Sequence, residues 1–231
     1  MKNNSMVIGV VIGVIVLLAI MIAISKNEKK NNGEVLLGIN YNISGNEAKL
    51  DQYKTDNPVV AIYIERYGSV VMELYPDIAP NTVNNFIYLI KNGFYDGNTF
   101  HRLMTGFVLQ GGDPTGSGMG GPNYSIMGEF SNNGFANDLK HTEGVVSMAR
   151  SSSSYDSAGS QFFIMLDDDP SLDGNYAAFG KVIDGMDTVK KIEENEQVSD
   201  SDTGLLVHNL VLKKAIVDLK GKTYPDPEIV G

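Results

Sequence analysis

The chain has 231 residues, a formal net charge of −10 at pH 7 and no cysteine. The negative charge argues against a broad nucleic-acid-binding face, because such faces need clustered Lys and Arg. Without cysteine there can be no disulfide, no thiolate nucleophile and no zinc–cysteine site. Of its residues 42% are hydrophobic. This length and composition suffice for one domain of about 170 residues with appendages.

The first apolar run differs from the rest of the chain. Residues 6–24 are 19 positions without a charged or strongly polar side chain. As a helix they would be about 28 Å long, close to the ~30 Å hydrocarbon core of a bilayer. The run is longer than the apolar region of a secretory signal and lacks a good cleavage site. We therefore expect an uncleaved transmembrane helix after a short N-tail, residues 1–5, with a cleaved signal as the alternative.

Two features bear on the orientation of this span. Lys26, Lys29 and Lys30 follow it, and such charges favour a cytoplasmic C-terminal side. The N-tail of five residues is instead typical of a signal-anchor. We expect a single-pass membrane protein whose globular part is extracytoplasmic, joined to the span by a polar tether and lead-in, residues 25–57.

From residue 58 onward the pattern is that of a folded domain. Residues 59–64 and 70–74 are rich in β-branched side chains and predict a hairpin around Tyr67-Gly68-Ser69. Residues 80–92 predict a helix, because Pro80 suits the first turn and apolar residues keep helical spacing. Further strands are predicted over 99–110, 145–149, 161–165, 177–182 and 207–219, and a second helix over 186–194. Many short strands with two helices indicate a mainly β protein, a closed or nearly closed barrel capped by helices.

Two segments carry most of the functional information. Residues 100–113 read Phe-His-Arg-Leu-Met-Thr-Gly-Phe-Val-Leu-Gln-Gly-Gly-Asp, and residues 159–164 read Gly-Ser-Gln-Phe-Phe-Ile. Each places polar donors among alternating apolar residues, a pattern typical of a strand that lines an apolar groove. Together the segments resemble the two signature stretches of the cyclophilin family of peptidyl-prolyl cis-trans isomerases.

The resemblance extends over roughly residues 59–219. It implies a closed eight-stranded antiparallel β-barrel with a helix over each open end, preceded in this chain by the transmembrane helix. We assign residues 58–220 to a cyclophilin-type domain and 221–231 to a C-terminal tail. The implied activity is isomerisation of X-Pro bonds, assisting protein folding near the membrane. The implied partners are proline-containing polypeptides, and neither a cofactor nor a metal is expected.

Arg102 is the expected central residue. Isomerisation makes and breaks no bond, so no nucleophile or base is required; the amide only loses its resonance as it twists. A guanidinium stays charged and offers several donors, so it can engage the substrate carbonyl and the prolyl nitrogen. The arginine that the family uses for catalysis falls at this position of the motif.

The other site residues follow from the resemblance. Phe107 and Phe163 would wall the pocket for the proline ring with Leu172, while Gln110 and Gln161 would hold the substrate backbone and Arg102. The catalytic set is Arg102, Phe107 and Gln110. The substrate-binding set is His101, Met104, Val108, Gly118, Ala149, Arg150, Gln161, Phe163, Leu172 and Tyr176.

Three other patterns have simpler interpretations. His101 beside Arg102 could suggest a base or a metal ligand, but the remaining histidines show no ligand spacing with it. Residues 116–121 fit a dinucleotide fingerprint without its following helix and are interpreted as a glycine loop beside the groove. Residues 167–169 are three aspartates without an EF-hand frame, and they predict a solvated turn.

The chain departs from better-known family members at three places. Ser171 stands where many eukaryotic cyclophilins have tryptophan, and Tyr176 stands where they have histidine. The serine-rich loop of residues 151–158 is slightly longer than in compact members. Tyr176 gives the chain a bacterial character, and the loss of the indole predicts weak cyclosporin binding.

Two other functions compete with this one. A cyclophilin-like module could bind proline-containing partners with little turnover, although a pure binder need not keep Arg102. A hydrolase using His101 would need a placed nucleophile, which the sequence does not offer.

Overall fold

The computed structural model describes residues 49–230, and that part contains eight strands. They are β1 (Val59–Ile64), β2 (Gly68–Leu74), β3 (Thr99–Met104), β4 (Val108–Asp113), β5 (Val145–Met148), β6 (Phe162–Met165), β7 (Ala178–Asp184) and β8 (Leu205–Asp218). They form a closed barrel in the order β1-β2-β7-β5-β6-β4-β3-β8, and β8 pairs with β1. All neighbouring pairs are antiparallel. The closed eight-stranded barrel is thereby confirmed.

Two helices accompany the barrel, α1 (Pro80–Lys91) and α2 (Met186–Asn195). Helix α1 has Pro80 in its first turn and ends before Gly93, whose φ of 68° is the left-handed geometry that glycine tolerates best. Its Phe86 ring lies 5.0–5.2 Å from Tyr95, Phe162 and Phe179. These rings are fully buried, so α1 closes the barrel through aromatic packing.

The predicted strand over residues 99–110 is wrong in one respect, because it is two strands. Gly106 has a φ of 68°, and the Phe107 N–H donates to the Met104 carbonyl at 2.9 Å. These features form a tight turn between β3 and β4. Apolar residues continue on both sides of the turn, so the sequence pattern does not reveal that the strand ends there. The hairpin supplies the eighth strand.

The folded unit also extends beyond residues 58–220. Leu50, in the predicted lead-in, is buried in a small cluster with Val59 and Val71, and Lys220 Nζ donates to its carbonyl at 2.9 Å. Tyr224, in the predicted tail, packs against the main core. The cause in each case is an apolar side chain that finds a site on the barrel.

The predicted membrane span, residues 6–24, and the tether as far as residue 48 lie outside the described residues. Within residues 49–230, no helix is both long enough and apolar enough to cross a bilayer.

Candidate active site

The central predicted site residues, Arg102, Gln110 and Phe163, lie on the outer face of three adjacent strands. Arg102 on β3 pairs with Gln110 on β4, Gln110 with Phe163 on β6, and Phe163 with Ser147 on β5. Directly paired residues of an antiparallel sheet point to the same side. The inner side is filled by core residues such as Leu109. The outer face of the barrel therefore carries a row of one cation, one amide, one aromatic ring and one hydroxyl, and the hydroxyl of Ser147 is buried.

A directional chain of hydrogen bonds runs along this row. Arg102 Nη1 donates to Gln110 Oε1 at 3.2 Å, and Gln110 Nε2 donates to Gln161 Oε1 at 3.0 Å. Gln161 Nε2 donates to the carbonyls of Gly118 and Gly120 at 3.0 and 2.8 Å. Each amide accepts on one side and donates on the other, so the bonds polarise one another. The chain fixes the guanidinium relative to the glycine loop.

The Arg102 guanidinium is held at two further points. Its Nε donates to the Thr203 carbonyl at 2.9 Å, and Nη2 contacts the Met104 sulfur. Of the five N–H donors of an arginine, two have no partner among residues 49–230. Burial lowers the pKa of Arg102, and Tyr176 opposes this. An arginine nevertheless stays charged at neutral pH.

An apolar cluster lies beside this cation. Its buried members include Val108, Phe163 and Leu172, and its partly buried members include Phe107, Ala149 and Tyr176. Phe163 is only 5% exposed and meets the Tyr176 ring edge-on, with centroids 5.7 Å apart. Leu172 enters from a 3-10 turn, Pro170–Leu172. The arrangement suits a compact apolar ring held next to a fixed donor group.

Behind Phe163 lies a buried hydrogen-bonded set that the sequence analysis did not identify. His141 stacks on Phe163 with centroids 6.1 Å apart. Its Nδ1 lies 3.1 Å from Asp173 Oδ1 and its Nε2 lies 3.0 Å from Ser147 Oγ. Ser147 is 0% exposed beneath the ring, so it cannot act as a nucleophile towards a bound chain. The set supports the Phe163 ring and, through Asp173, the turn that carries Leu172.

Burial lowers the pKa of His141, and Asp173 offsets this only in part. Neutral imidazole is therefore the stable form behind the Phe163 ring. No spacing signal could have revealed the set, because His141 and Asp173 lie outside the strands, 32 positions apart, and only the fold brings them together.

His101 does not present its side chain to the groove. It is 1% exposed, and burial lowers its pKa. A Cβ added to Gly118 would lie 3.7 Å from its Nε2, so the imidazole lies beneath the glycine loop. Nearby, Asp113 accepts from the N–H groups of Gly118 and Thr115. Burial by itself raises the pKa of Asp113, but these donors outweigh it and lower the value to about 2.

Arg150 lies outside the apolar cluster. Its guanidinium stands 4.8 Å from the Tyr176 ring centroid, 4.9 Å from that of Tyr155 and 5.4 Å from that of Phe130. Its Nε donates to the Asn175 carbonyl at 2.9 Å. These contacts tie the serine-rich loop of residues 151–158 to Tyr176, so Arg150 braces an edge of the cluster.

Comparisons with known proteins identify the barrel. Residues 59–216 match the family model described as cyclophilin type peptidyl-prolyl cis-trans isomerase/CLD. Peptidyl-prolyl cis-trans isomerase B of Bacillus subtilis is 42% identical over 137 residues, covering 59% of this chain and 92% of that protein. Peptidyl-prolyl cis-trans isomerase-like 1 of Gibberella zeae is 46% identical over 126 residues, covering 54% of this chain and 75% of that protein.

A solved structure agrees with these matches. A cyclophilin type peptidyl-prolyl cis-trans isomerase of Cryptosporidium parvum, crystallised in the presence of the dipeptide Ala-Pro, has a TM-score of 0.62 and 34% identity. The superposition covers 69% of this chain and 98% of that chain. The family match, the relatives and the barrel topology agree, and the chain belongs to the cyclophilin-type peptidyl-prolyl cis-trans isomerases.

Proposed function

We propose that the outer-face groove binds extended proline-containing polypeptides and isomerises their X-Pro bonds, with Arg102 acting on the prolyl amide. One observation carries this assignment: a guanidinium with two unengaged N–H donors is fixed beside an apolar cluster. The dipeptide present with the Cryptosporidium parvum relative supports the same class of ligand.

The energy required is modest for such a group. The barrier to rotation is about 18–20 kcal/mol, and uncatalysed exchange takes roughly 10–100 s. A turnover of ~10–10³ s⁻¹ needs about 3–7 kcal/mol of barrier reduction. When the amide twists, its nitrogen lone pair localises and can accept from Arg102. Phe107, Phe163 and Leu172 hold the ring and exclude water, which strengthens that bond.

The test compares Arg102→Lys with Arg66→Lys in a cis/trans exchange measurement on a short Ala-Pro peptide. Lysine keeps the charge of Arg102 but loses the planar fork of donors. We expect Arg102→Lys to lose at least tenfold in kcat/KM. Arg66 pairs with Glu196 outside the groove, so its variant should match the unmodified chain. If the peptide binds to the unmodified chain without faster exchange, the groove is a binding module and the proposal fails.

The groove is of the bacterial type in this proposal. Tyr176 packs edge-on against Phe163 where many eukaryotic cyclophilins carry histidine, and Ser171 is exposed where they carry tryptophan. Both differences alter the rim and leave Arg102 and its partners unchanged. Cyclosporin is accordingly a weak ligand in this proposal.

We also propose that residues 6–24 anchor the enzyme in a membrane with its barrel outside the cytoplasm, where it meets polypeptides as they fold. The support is the uncharged run of 19 residues followed by a polar tether. Because the chain has no cysteine, Ser44→Cys and Ser5→Cys each create a single thiol, one on either side of the span. A membrane-impermeant thiol reagent should label Ser44→Cys in whole cells and Ser5→Cys only after lysis. The reverse pattern would place the barrel in the cytoplasm.

A further inference from the structure

The segment after β8 is a feature of this chain that the family match does not include. The match ends at residue 216, whereas the described chain continues to residue 230. We call residues 219–230 the strap. Its Tyr224 packs against the main core, and the Tyr224 hydroxyl is buried without a hydrogen-bond partner among the described residues. The strap is therefore docked on the barrel by an aromatic anchor.

Two pairs of hydrogen bonds fix the end of the strap. Asn81 Nδ2 donates to the Glu228 carbonyl at 2.9 Å, and the Glu228 N–H donates to Asn81 Oδ1 at 2.7 Å. The Val230 N–H donates to the Ser125 carbonyl at 2.8 Å, and Ser125 Oγ donates to the Val230 carbonyl at 2.7 Å. In both pairs the strap residue, Glu228 or Val230, uses its backbone N–H and carbonyl groups. The docking therefore depends on the backbone conformation of the strap.

The two residues that bind the strap, Asn81 and Ser125, are connected by hydrogen bonds to residues 158–159. Asn81 and Asn85 are one turn apart on helix α1. Asn85 accepts from the Tyr124 hydroxyl at 2.8 Å and donates to the Gly159 carbonyl at 2.7 Å. The Ile126 N–H donates to the Ala158 carbonyl at 2.8 Å. Ser125, between Tyr124 and Ile126, is thus held by the strap on one side while its neighbours hold residues 158–159 on the other.

Residues 158–159 lead directly into the hydrogen-bond chain of the groove. A Cβ on Gly159 would lie 2.8 Å from the Pro122 ring, so the two segments are in close contact there. Two positions later, Gln161 binds the carbonyls of Gly118 and Gly120 and accepts from Gln110. Residues 118–126 are consequently bound at both ends to residues 158–161. The strap contacts the same segment at Ser125, on its other side.

We propose that the strap is a positioning element of the active site, which holds residues 122–126 against residues 158–161 and thereby sets the place of Gln161. This inference rests on the groove assigned under the proposed function. Small displacements of positioning groups reduce the productive binding of substrate, and the effect falls first on KM when the reacting cation itself is untouched.

The experiment uses the full chain and three variants: a truncation after Gly221, the double variant Asn81→Ala with Ser125→Ala, and the control Asn84→Ala. Asn84 lies on the same helix and makes no hydrogen bond to the strap among the described residues. We expect the truncation and the double variant to lose about three- to tenfold in kcat/KM, mainly through KM. The control should stay within twofold.

Two further measurements separate positioning from general destabilisation. In the double variant, amide exchange should speed up at Ile126, whose N–H binds Ala158, and stay unchanged at Ile164 in the barrel. A synthetic peptide of residues 222–231 should restore the truncated enzyme, whereas the same peptide with Tyr224→Ala should not.

Unchanged KM in both strap variants, or equal acceleration of exchange at Ile126 and Ile164, would overturn the inference. Failure of the groove assignment is distinguishable from these outcomes, because the unmodified chain would then show no catalysed exchange at all.

Discussion

Strands β3, β4, β5 and β6 present two surfaces of opposite character. Their inner face carries buried apolar residues such as Leu103, Leu109 and Phe162, which fill the barrel. Their outer face carries Arg102, Gln110 and the ring of Phe163. Side chains alternate along a strand, so two neighbouring residues lie on opposite faces. One of them contributes to the stability of the barrel, and the next contributes to substrate recognition.

The two faces also differ in the contacts that hold their side chains in place. The inner rings contact one another at centroid distances of 5.0–5.7 Å, so any loss of volume leaves a cavity. The outer polar residues Arg102 and Gln110 are held by a single line of hydrogen bonds with one end at Thr203 and the other at the glycine loop. Inner-face substitutions should therefore act on unfolding, and outer-face substitutions should act on turnover.

The sharpest comparison uses two adjacent phenylalanines. Phe162→Ala removes a fully buried inner ring, and should cost about 3–5 kcal/mol, or about 6–20 °C in Tm. Phe163→Ala removes a ring of the groove, and should instead raise KM for a proline peptide with a smaller loss of Tm. Thermal unfolding and exchange kinetics, both on the same preparations, measure the two effects. Equal losses in both variants would mean that the two faces are not functionally distinct.

The next largest effect should come from Arg102→Ala. The loss of one preorganised donor costs about 2.7–4 kcal/mol in other enzymes, which is roughly a hundred- to a thousandfold in kcat. Because the guanidinium is half-buried on the outer face, Tm should change little. Exchange kinetics at saturating peptide measure kcat, and a variant with unchanged kcat would remove Arg102 from the reaction.

The division of the strand residues between the inner and outer faces could largely be predicted from the sequence. The alternation in residues 102–110 assigns Arg102 and Gln110 to one face and Leu103 and Leu109 to the other. The family resemblance then supplied the identity of the groove. The hairpin at Gly106 was missed because apolar residues continue on both sides of the turn.

Other contacts follow from the topology alone. His141 meets Asp173 because two segments outside the strands, 32 positions apart, come together behind Phe163, and no local pattern encodes that contact. His101 was assigned to the substrate, but its place beneath Gly118 depends on the path of the glycine loop. The strap contacts join residues up to 147 positions apart, which is equally beyond local patterns.

A smaller effect is expected at the rim of the outer face. Ser171 is exposed on the turn that carries Leu172 and offers little apolar surface. Burial of a large side chain against a ligand contributes roughly 1.5–3 kcal/mol, which is about ten- to a hundredfold in affinity. Ser171→Trp should therefore tighten cyclosporin binding by up to that factor, measured by inhibition of exchange, without a change in Tm. Tight inhibition of the unmodified chain would show that the longer loop of residues 151–158 compensates.

The smallest effect should appear in the pH dependence of stability. Burial lowers the pKa of both His101 and His141 in the folded chain. An unfolded histidine has a pKa of ~6.5 and binds its proton first, so the folded state is penalised as the pH falls below that value. The carboxyl groups of Asp113 and Asp173 have lowered pKa values and contribute only at still lower pH. Tm should thus decline between pH 7 and pH 5.

Turnover should not follow the same curve, because Arg102 stays charged and no proton transfer is required. At a temperature well below Tm, kcat/KM should be flat from pH 8 to pH 6.5. His141→Gln keeps a hydrogen-bonding side chain behind Phe163 and should reduce the decline of Tm, while His101 retains its own contribution. A steep pH profile of kcat/KM that disappears in His141→Gln would show that the imidazole behind Phe163 controls the outer face directly.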